Sequence, residues 1–287
     1  RLQAFLGEGK DVIGTIGGGK AKPTGKIDIA VMQSISRLGE VNQLVENYGQ
    51  VIVDECHHVG AASIDAILKR TKAKYILGLT ATPIRRDGLQ PIIFMQCGPI
   101  RYTAVRSESA PQDLEVEPYS WSAPVDLPAD AGIQDVFRAL ANDQARTEAI
   151  AETVRHAFDL GRKVLVLTER TEHLDAIKAA ISGVSSLLFV LHGRMSKKQR
   201  SILVEDLNAL PSDSPRILLA SGKLVGEGFD HPPLDTLVLA MPVSWKGTLQ
   251  QYAGRLHREH ADKTNVRIID FVDTGHPTLL RMWEKRQ

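Results

Sequence analysis

The stretch "QVIVDECHH", residues 50–58, sets the fold class of the chain. Val51, Ile52 and Val53 are consecutive β-branched residues that favour a strand, and Asp54 and Glu55 end it abruptly. An apolar run without polar alternation suits a strand covered on both faces, as in parallel sheets. In open α/β sheets ligands gather beyond the carboxyl ends of the strands, so residues placed there suit chemistry. Asp54 could hold Mg²⁺, directly or through water, and Glu55 could orient or deprotonate a water that attacks a phosphoryl group. An isolated acidic pair equally fits a solvated loop or a helix N-terminus. Zinc held by Cys56, His57 and His58 lacks a second Cys/His cluster to complete it.

The same apolar signature recurs in "IDIAVM" (27–32), "YILGLT" (75–80), "KVLVLT" (163–168), "LLFVLH" (187–192), "RILLAS" (216–221), "TLVLAM" (236–241) and "VRIIDFVD" (266–273). Helical patterns lie between these runs, including one long pattern over 133–160, so the class is α/β with parallel sheets flanked by helices. Residues 104–132 are rich in Pro, Ser and acids and read as a connection, with a short extended strand around 116–121. The expected division is 1–103, a linker 104–132, and 133–287.

Composition narrows the function classes. Of 287 residues, 43% are hydrophobic and 24% charged, the balance of a globular protein with a real core. A net charge of +1 gives no global field for nucleic acid, so any such surface must be a local groove. Two cysteines exclude a disulfide scaffold, and no apolar run approaches a membrane span; a cytoplasmic protein without membrane contact is the expectation.

Other strand ends carry further candidates. "TATP" (80–83) places the hydroxyls of Thr80 and Thr82 after a strand, and as a lone tetrapeptide it also reads as a turn. "ASGKLVGEGFDHP" (220–232) offers Gly226 and Gly228 for close backbone approach and Asp230 as an acceptor for a hydroxyl such as that of a ribose. "TLQQYAGRLHREH" (248–260) carries Gln251, Arg255 and Arg258; the arginines are three apart, on one helix face, and guanidinium groups fork onto phosphate oxygens.

In this order, "DECH", "TATP", "GEGFD" and "QYAGRLHR" resemble motifs II, III, V and VI of superfamily 2 helicases, nearest the branch of type III restriction Res subunits and excision-repair translocases. "LTERTEHLDAI" (167–177) is similar to the motif IV region. The resemblance implies two RecA-like domains that bind ATP in a cleft and carry nucleic acid across their tops. It also implies roles: Asp54 for Mg²⁺, Glu55 as catalytic carboxylate, and His57, Thr80 and Thr82 as the coupling between ATP and nucleic acid. Gly226, Gly228 and Asp230 would meet the nucleotide, Gln251 would act with motif VI, and Arg255 and Arg258 would serve as arginine fingers.

"GTIGGGKAKPTGK" (14–26) has the spacing G-x-x-x-x-G-K of a nucleotide loop in Gly14, Gly19 and Lys20. Ala21 replaces the hydroxyl that should hold Mg²⁺, and Pro23 opposes the helix that should follow, so the residues read as a flexible, basic, glycine-rich connection. By resemblance the stretch occupies the glycine-doublet region after motif Ia, where Gly18, Gly19 and Lys20 would approach a nucleic-acid backbone. "MQSI" (32–35), with Gln33 and Ser34, would take the place of motif Ib. The nucleotide loop would then belong to an upstream part of the polypeptide, and this segment would hydrolyse ATP negligibly. Basic clusters at Lys20, Lys22 and Lys26, at Arg85 and Arg86, and at Arg194, Lys197, Lys198 and Arg200 suit a backbone grip without sequence preference. The resemblance leans to DNA over RNA. An RNA helicase and a non-catalytic nucleic-acid scaffold stay open as alternatives.

Overall fold

The computed structural model describes residues 2–9, 11–37, 40–58, 62–81, 83, 88–104, 113–181, 183, 187–222, 229, 231–243, 246–257, 260, 263–286. The chain forms two compact units, Arg1–Ala104 and Val105–Gln287.

The first unit contains α1 (Leu2–Leu6), β1 (Ile13–Gly17), β2 (Lys20–Lys22), β3 (Ile27–Ala30) and α2 (Met32–Ile35). It continues with β4 (Ser36–Arg37), β5 (Glu40–Val41), β6 (Gln50–Val53), α3 (Ala62–Arg70), β7 (Tyr75–Gly78) and α4 (Gln90–Cys97). β1 pairs antiparallel with β2 and parallel with β3, while β6 and β7 form a separate parallel pair. One face of that pair packs Val51, Val53 and Ile76 against Ile64 and Leu68 of α3 and Ile92 and Ile93 of α4.

The "GGGK" stretch is therefore a hairpin and no flexible connection. Gly18 and Gly19 form its turn at φ of 59° and 78°, a left-handed pair that only glycine adopts without strain. The return loop is pinned by Asp28, which accepts from the amides of Thr24 at 2.7 Å and Gly25 at 2.8 Å and from the Tyr48 hydroxyl. Burial opposes ionisation of Asp28, but these hydrogen bonds outweigh it and hold its carboxyl below the usual range.

The second unit has β8 (Asp113–Trp121), α5 (Ile133–Asn142), α6 (Gln144–Asp159), β9 (Lys163–Thr168), α7 (Thr171–Ala180), β10 (Leu188–Leu191) and α8 (Lys197–Ala209). Then follow β11 (Arg216–Ser221), β12 (Thr236–Leu239), α9 (Lys246–Leu256), β13 (Asn265–Asp273) and α10 (Pro277–Arg286). Six parallel strands run in the order β10-β11-β9-β12-β13-β8. Alternate residues of each inner strand face opposite helical layers. Val164, Val166, Ile217 and Leu219 meet Ile150 and Val154 of α6 and Ile177 of α7; Leu165, Leu218 and Leu237 meet Leu203 and Leu207 of α8 and Tyr252 and Leu256 of α9.

Two expectations are corrected here. The long pattern over 133–160 is two helices, because Asp143 leaves helical geometry and its carboxylate caps α6 through the Arg146 amide at 3.0 Å. Within the 104–132 connection the strand expected around 116–121 runs longer: Asp113–Trp121 is an edge strand paired along its whole length with β13, and Val125, Leu127 and Ala131 pack against α5 and α10. Its polar face belongs there because Glu115 and Glu117 bind Arg267 of β13. Among the described residues, no helix is long and apolar enough to cross a membrane.

Candidate functional site

In the first unit the site forms where β6 and β7 end. Pairing continues past both strands: the Leu79 amide donates to Val53 O and the Cys56 amide to Leu79 O, each at 2.9 Å. These bonds set Asp54 to His58 beside Thr80. Asp54 is exposed, and its Oδ1 accepts the Glu55 amide at 3.0 Å. Glu55 is the one non-glycine residue with positive φ among the described residues, at 50°. Such a conformation costs roughly 1–3 kcal/mol and persists where surrounding structure enforces it.

His57 is buried, and its Nδ1 lies 2.9 Å from Thr80 Oγ1 and 3.2 Å from Glu55 Oε2. The ring is hydrogen-bonded to the nearer hydroxyl, which leaves Glu55 Oε2 buried with no hydrogen bond made to it. An unsatisfied buried carboxylate oxygen at a strand end is poised to accept from a water or hydroxyl. Acid, imidazole and hydroxyl thus form one connected set reaching from the end of β6 to the end of β7.

Among the described residues, no group of three or more His, Cys, Asp or Glu side chains could hold a metal ion. This donor set fits Mg²⁺ arriving with a phosphate ligand, since that ion keeps several waters and takes one or two carboxylates. Asp54, exposed beside Glu55, is the residue that would hold it.

Near the hairpin, Lys20 and Lys22 are exposed on β2, and the turn presents Gly18 and Gly19. Gln33 and Ser34 are exposed on α2, and a Cβ built at Gly17 would stand 3.6 Å from Ser34 Oγ. The structure therefore brings the glycine stretch and "MQSI" side by side.

In the second unit, Gly222, just past the carboxyl end of β11, and Phe229 both lie against α9. A Cβ at Gly222 would lie 2.5 Å from both Glu169 Oε1 and Tyr252 Oη, so a larger residue there would push these two side-chain ends aside where the motif IV and motif VI regions converge. Burial and the charge of Glu169 push the Tyr252 hydroxyl up to about 12, so it stays protonated as a donor. Arg255, expected as a finger on phosphate, donates from Nη1 to Phe229 O at 2.5 Å and ties α9 to the 220–232 segment. Two residues after Phe229, His231 is held by Arg216 Nη1 at 3.1 Å and by Asn208 Oδ1 at 3.3 Å. Gln251 lies on α9 with its side chain outside the described residues. Thr82, Arg85, Arg86, Gly226, Gly228, Asp230 and Arg258 also lie outside them.

Sequence reasoning missed Glu169, Gly222, Tyr252, Arg216, His231 and Lys263. Gly222 and Tyr252 stood inside quoted motifs and could have been found by asking which residue sits next to each strand end. Arg216 and Lys263 carry no such signal.

Comparisons with known proteins bear on the family and the fold. Residues 1–85 match the family model "Type III restriction enzyme, res subunit", and residues 146–260 match "Helicase conserved C-terminal domain". A protein named as helicase D10 of Escherichia phage T5 is 27% identical over 266 residues, covering 91% of this chain and 57% of its own length. A protein named as ATP-dependent RNA helicase L396 of Acanthamoeba polyphaga mimivirus is 24% identical over 269 residues, covering 90% of this chain and 50% of its own. The chain thus spans about half the length of the curated relatives it matches. A fragment structure named as an HsdR subunit of a type I restriction enzyme from Vibrio vulnificus YJ016 superposes with a TM-score of 0.67 at 25% identity, over 97% of this chain and 53% of that one. Strand-end acid, imidazole and hydroxyl, the glycine-bearing segment braced on α9, and these matches together show that the chain belongs to the superfamily 2 helicases.

Proposed function

We propose that this chain is the motor portion of an ATP-dependent DNA helicase or translocase. The observation that carries this reading is Glu55: a carboxylate in a strained backbone position, with a buried, unsatisfied oxygen and a direct contact to His57. Glu55 accepts a proton from the water that attacks the terminal phosphoryl, and Asp54 holds Mg²⁺, which neutralises charge on the phosphates. His57 and Thr80, with Thr82, pass the state of that site to the nucleic-acid surface. Gly226, Gly228 and Asp230 contact the nucleotide, while Gln251 and Arg258 act on it from the motif VI region; Arg255 works by holding α9 in place. Residues 1–103 serve as the ATP-binding part and 133–287 as the helicase C-terminal part.

Nucleic acid is gripped through its phosphates by the Gly18–Gly19 turn, Lys20, and Gln33 and Ser34 on α2. Aromatic residues make up 5% of the sequence, which argues against a base-stacking platform and for a grip indifferent to sequence. The "DECH" form supports DNA as the substrate. The relative named as an RNA helicase keeps RNA as the second reading.

The test is ATP turnover with single- and double-stranded DNA and RNA. The full-length protein is expected to turn over ATP, more with DNA than RNA, and Glu55→Gln is expected to abolish it. The 287-residue chain alone is expected to turn over ATP negligibly, because its G-x-x-x-x-G-K stretch is a hairpin turn and opens no helix. Turnover by this chain that Glu55→Gln abolishes would return that hairpin to the nucleotide and overturn the assignment to nucleic acid.

A further inference from the structure

Lys263 belongs to none of the quoted motifs, yet its side chain is buried, with 8% of the residue exposed. Its Nζ donates to Pro232 O at 2.5 Å and to Leu256 O at 2.7 Å. Leu256 is the last residue of α9, so its carbonyl is one of the terminal acceptors that a helix cannot satisfy internally. Pro232 closes the segment that carries Phe229 and, one residue further on, Asp230. A single amine therefore caps the helix of Gln251 and Arg255 and fastens it to the exit of the glycine-bearing segment.

Desolvation makes this an unusual place for an amine. Burial pushes Lys263 down to about 8, against the attraction of Asp235 and with the repulsion of Lys163. A buried apolar side chain would be the more stable choice for packing alone. What the amine supplies and an apolar group cannot is donation to both carbonyls, placed at the negative end of the helix dipole. Its contribution runs parallel to Arg255, which ties the same helix to Phe229 O.

We propose that Lys263 is a positioning residue of the ATPase cycle, fixing the motif VI helix against the end of the motif V segment. The proposal rests on the helicase reading above, and two readouts separate their failures. Amide hydrogen exchange on the 287-residue chain tests the clamp by itself. Lys263→Met is expected to speed exchange at the amides of 231, 234 and 235 and of 253–257 by about tenfold, the scale of one hydrogen bond from a charged group, while β9 and β11 keep wild-type protection. Lys263→Arg, which keeps donors, is expected to restore protection. In the full-length protein the same Met substitution is expected to lower kcat by about tenfold without changing the KM for DNA, as loss of transition-state positioning does.

Uniform loss of protection across the second unit, or unchanged exchange at the two segments, overturns the proposal. So does failure of both Lys263→Met and Lys263→Gln to fold, which would make the lysine a general support of the unit. If the full-length wild type hydrolyses no ATP, the helicase reading falls and the exchange pattern alone decides for or against the clamp.

Discussion

The two units bury the same kind of strand to different depths. In the second, Val164, Val166, Ile217 and Leu219 are wholly buried between helices on both faces of the sheet. In the first, Ile52 is 57% exposed and Leu77 43%, and among the described residues helices cover only the other face of the β6–β7 pair. An apolar β-branched run therefore reports that a strand tolerates burial on both faces, and does not report that both are covered. The acid–imidazole–hydroxyl set stands at the end of the less buried sheet, while the segments that brace α9 stand at the end of the fully buried one.

Breaking the stronger sheet gives the largest expected effects. Asp273 holds buried Arg146 with both oxygens, at 2.7 Å and 2.8 Å, and Arg146 also donates to Ala240 O at 2.8 Å. Asp273→Ala strands that guanidinium and is expected to cost about 3–5 kcal/mol in urea denaturation of the second unit. A loss under about 1 kcal/mol would show that the pair is solvated in solution. Ile217→Ala removes a wholly buried side chain and is expected to cost about 2–5 kcal/mol.

Acid should also act through the second unit. His173 is wholly buried, with Nδ1 3.0 Å from Thr168 Oγ1, and burial followed by the nearby Arg146 charge pushes it down to about 3. A depressed histidine is neutral in the fold and takes up a proton on unfolding between pH 6.5, its ordinary value, and 3. Its stability contribution is thus full above 6.5 and is lost as pH falls toward 3. The urea midpoint of the second unit should drop across that window, and His173→Gln should flatten the slope; an unchanged slope would place the proton elsewhere. The smallest effect belongs to the open face: Ile52→Ala should shift stability by no more than about 0.5 kcal/mol. A loss comparable to that of Ile217→Ala would mean that this face is covered in solution and would erase the contrast between the units.

How far the sequence could be read follows the same division. The runs at 163–168 and 216–221 match β9 and β11 to the residue, since the buried centres of these strands, Val164–Leu167 and Ile217–Ala220, are uniformly apolar. "IDIAVM" overran β3 because Val31 already serves as the N-cap of α2. β8 was expected only as a short strand around 116–121, because its first half, with exposed Glu115 and half-buried Glu117, has the composition of a loop. At the site, Asp54, Glu55, His57 and Thr80 were legible as residues that follow strands. Lys263 and Arg216 were not, because much of what they hold is main-chain carbonyl, and no side-chain pattern marks a carbonyl's partner.

The left-handed backbone at Glu55 has one more consequence, for anyone improving the protein's heat resistance. Glycine would sit at that position without the steric penalty, so a library ranked on melting temperature should enrich Glu55→Gly by about 1 kcal/mol. Such a screen would select for the loss of the very carboxylate proposed to do the chemistry, and thermal tolerance and turnover would have to be scored together at residue 55.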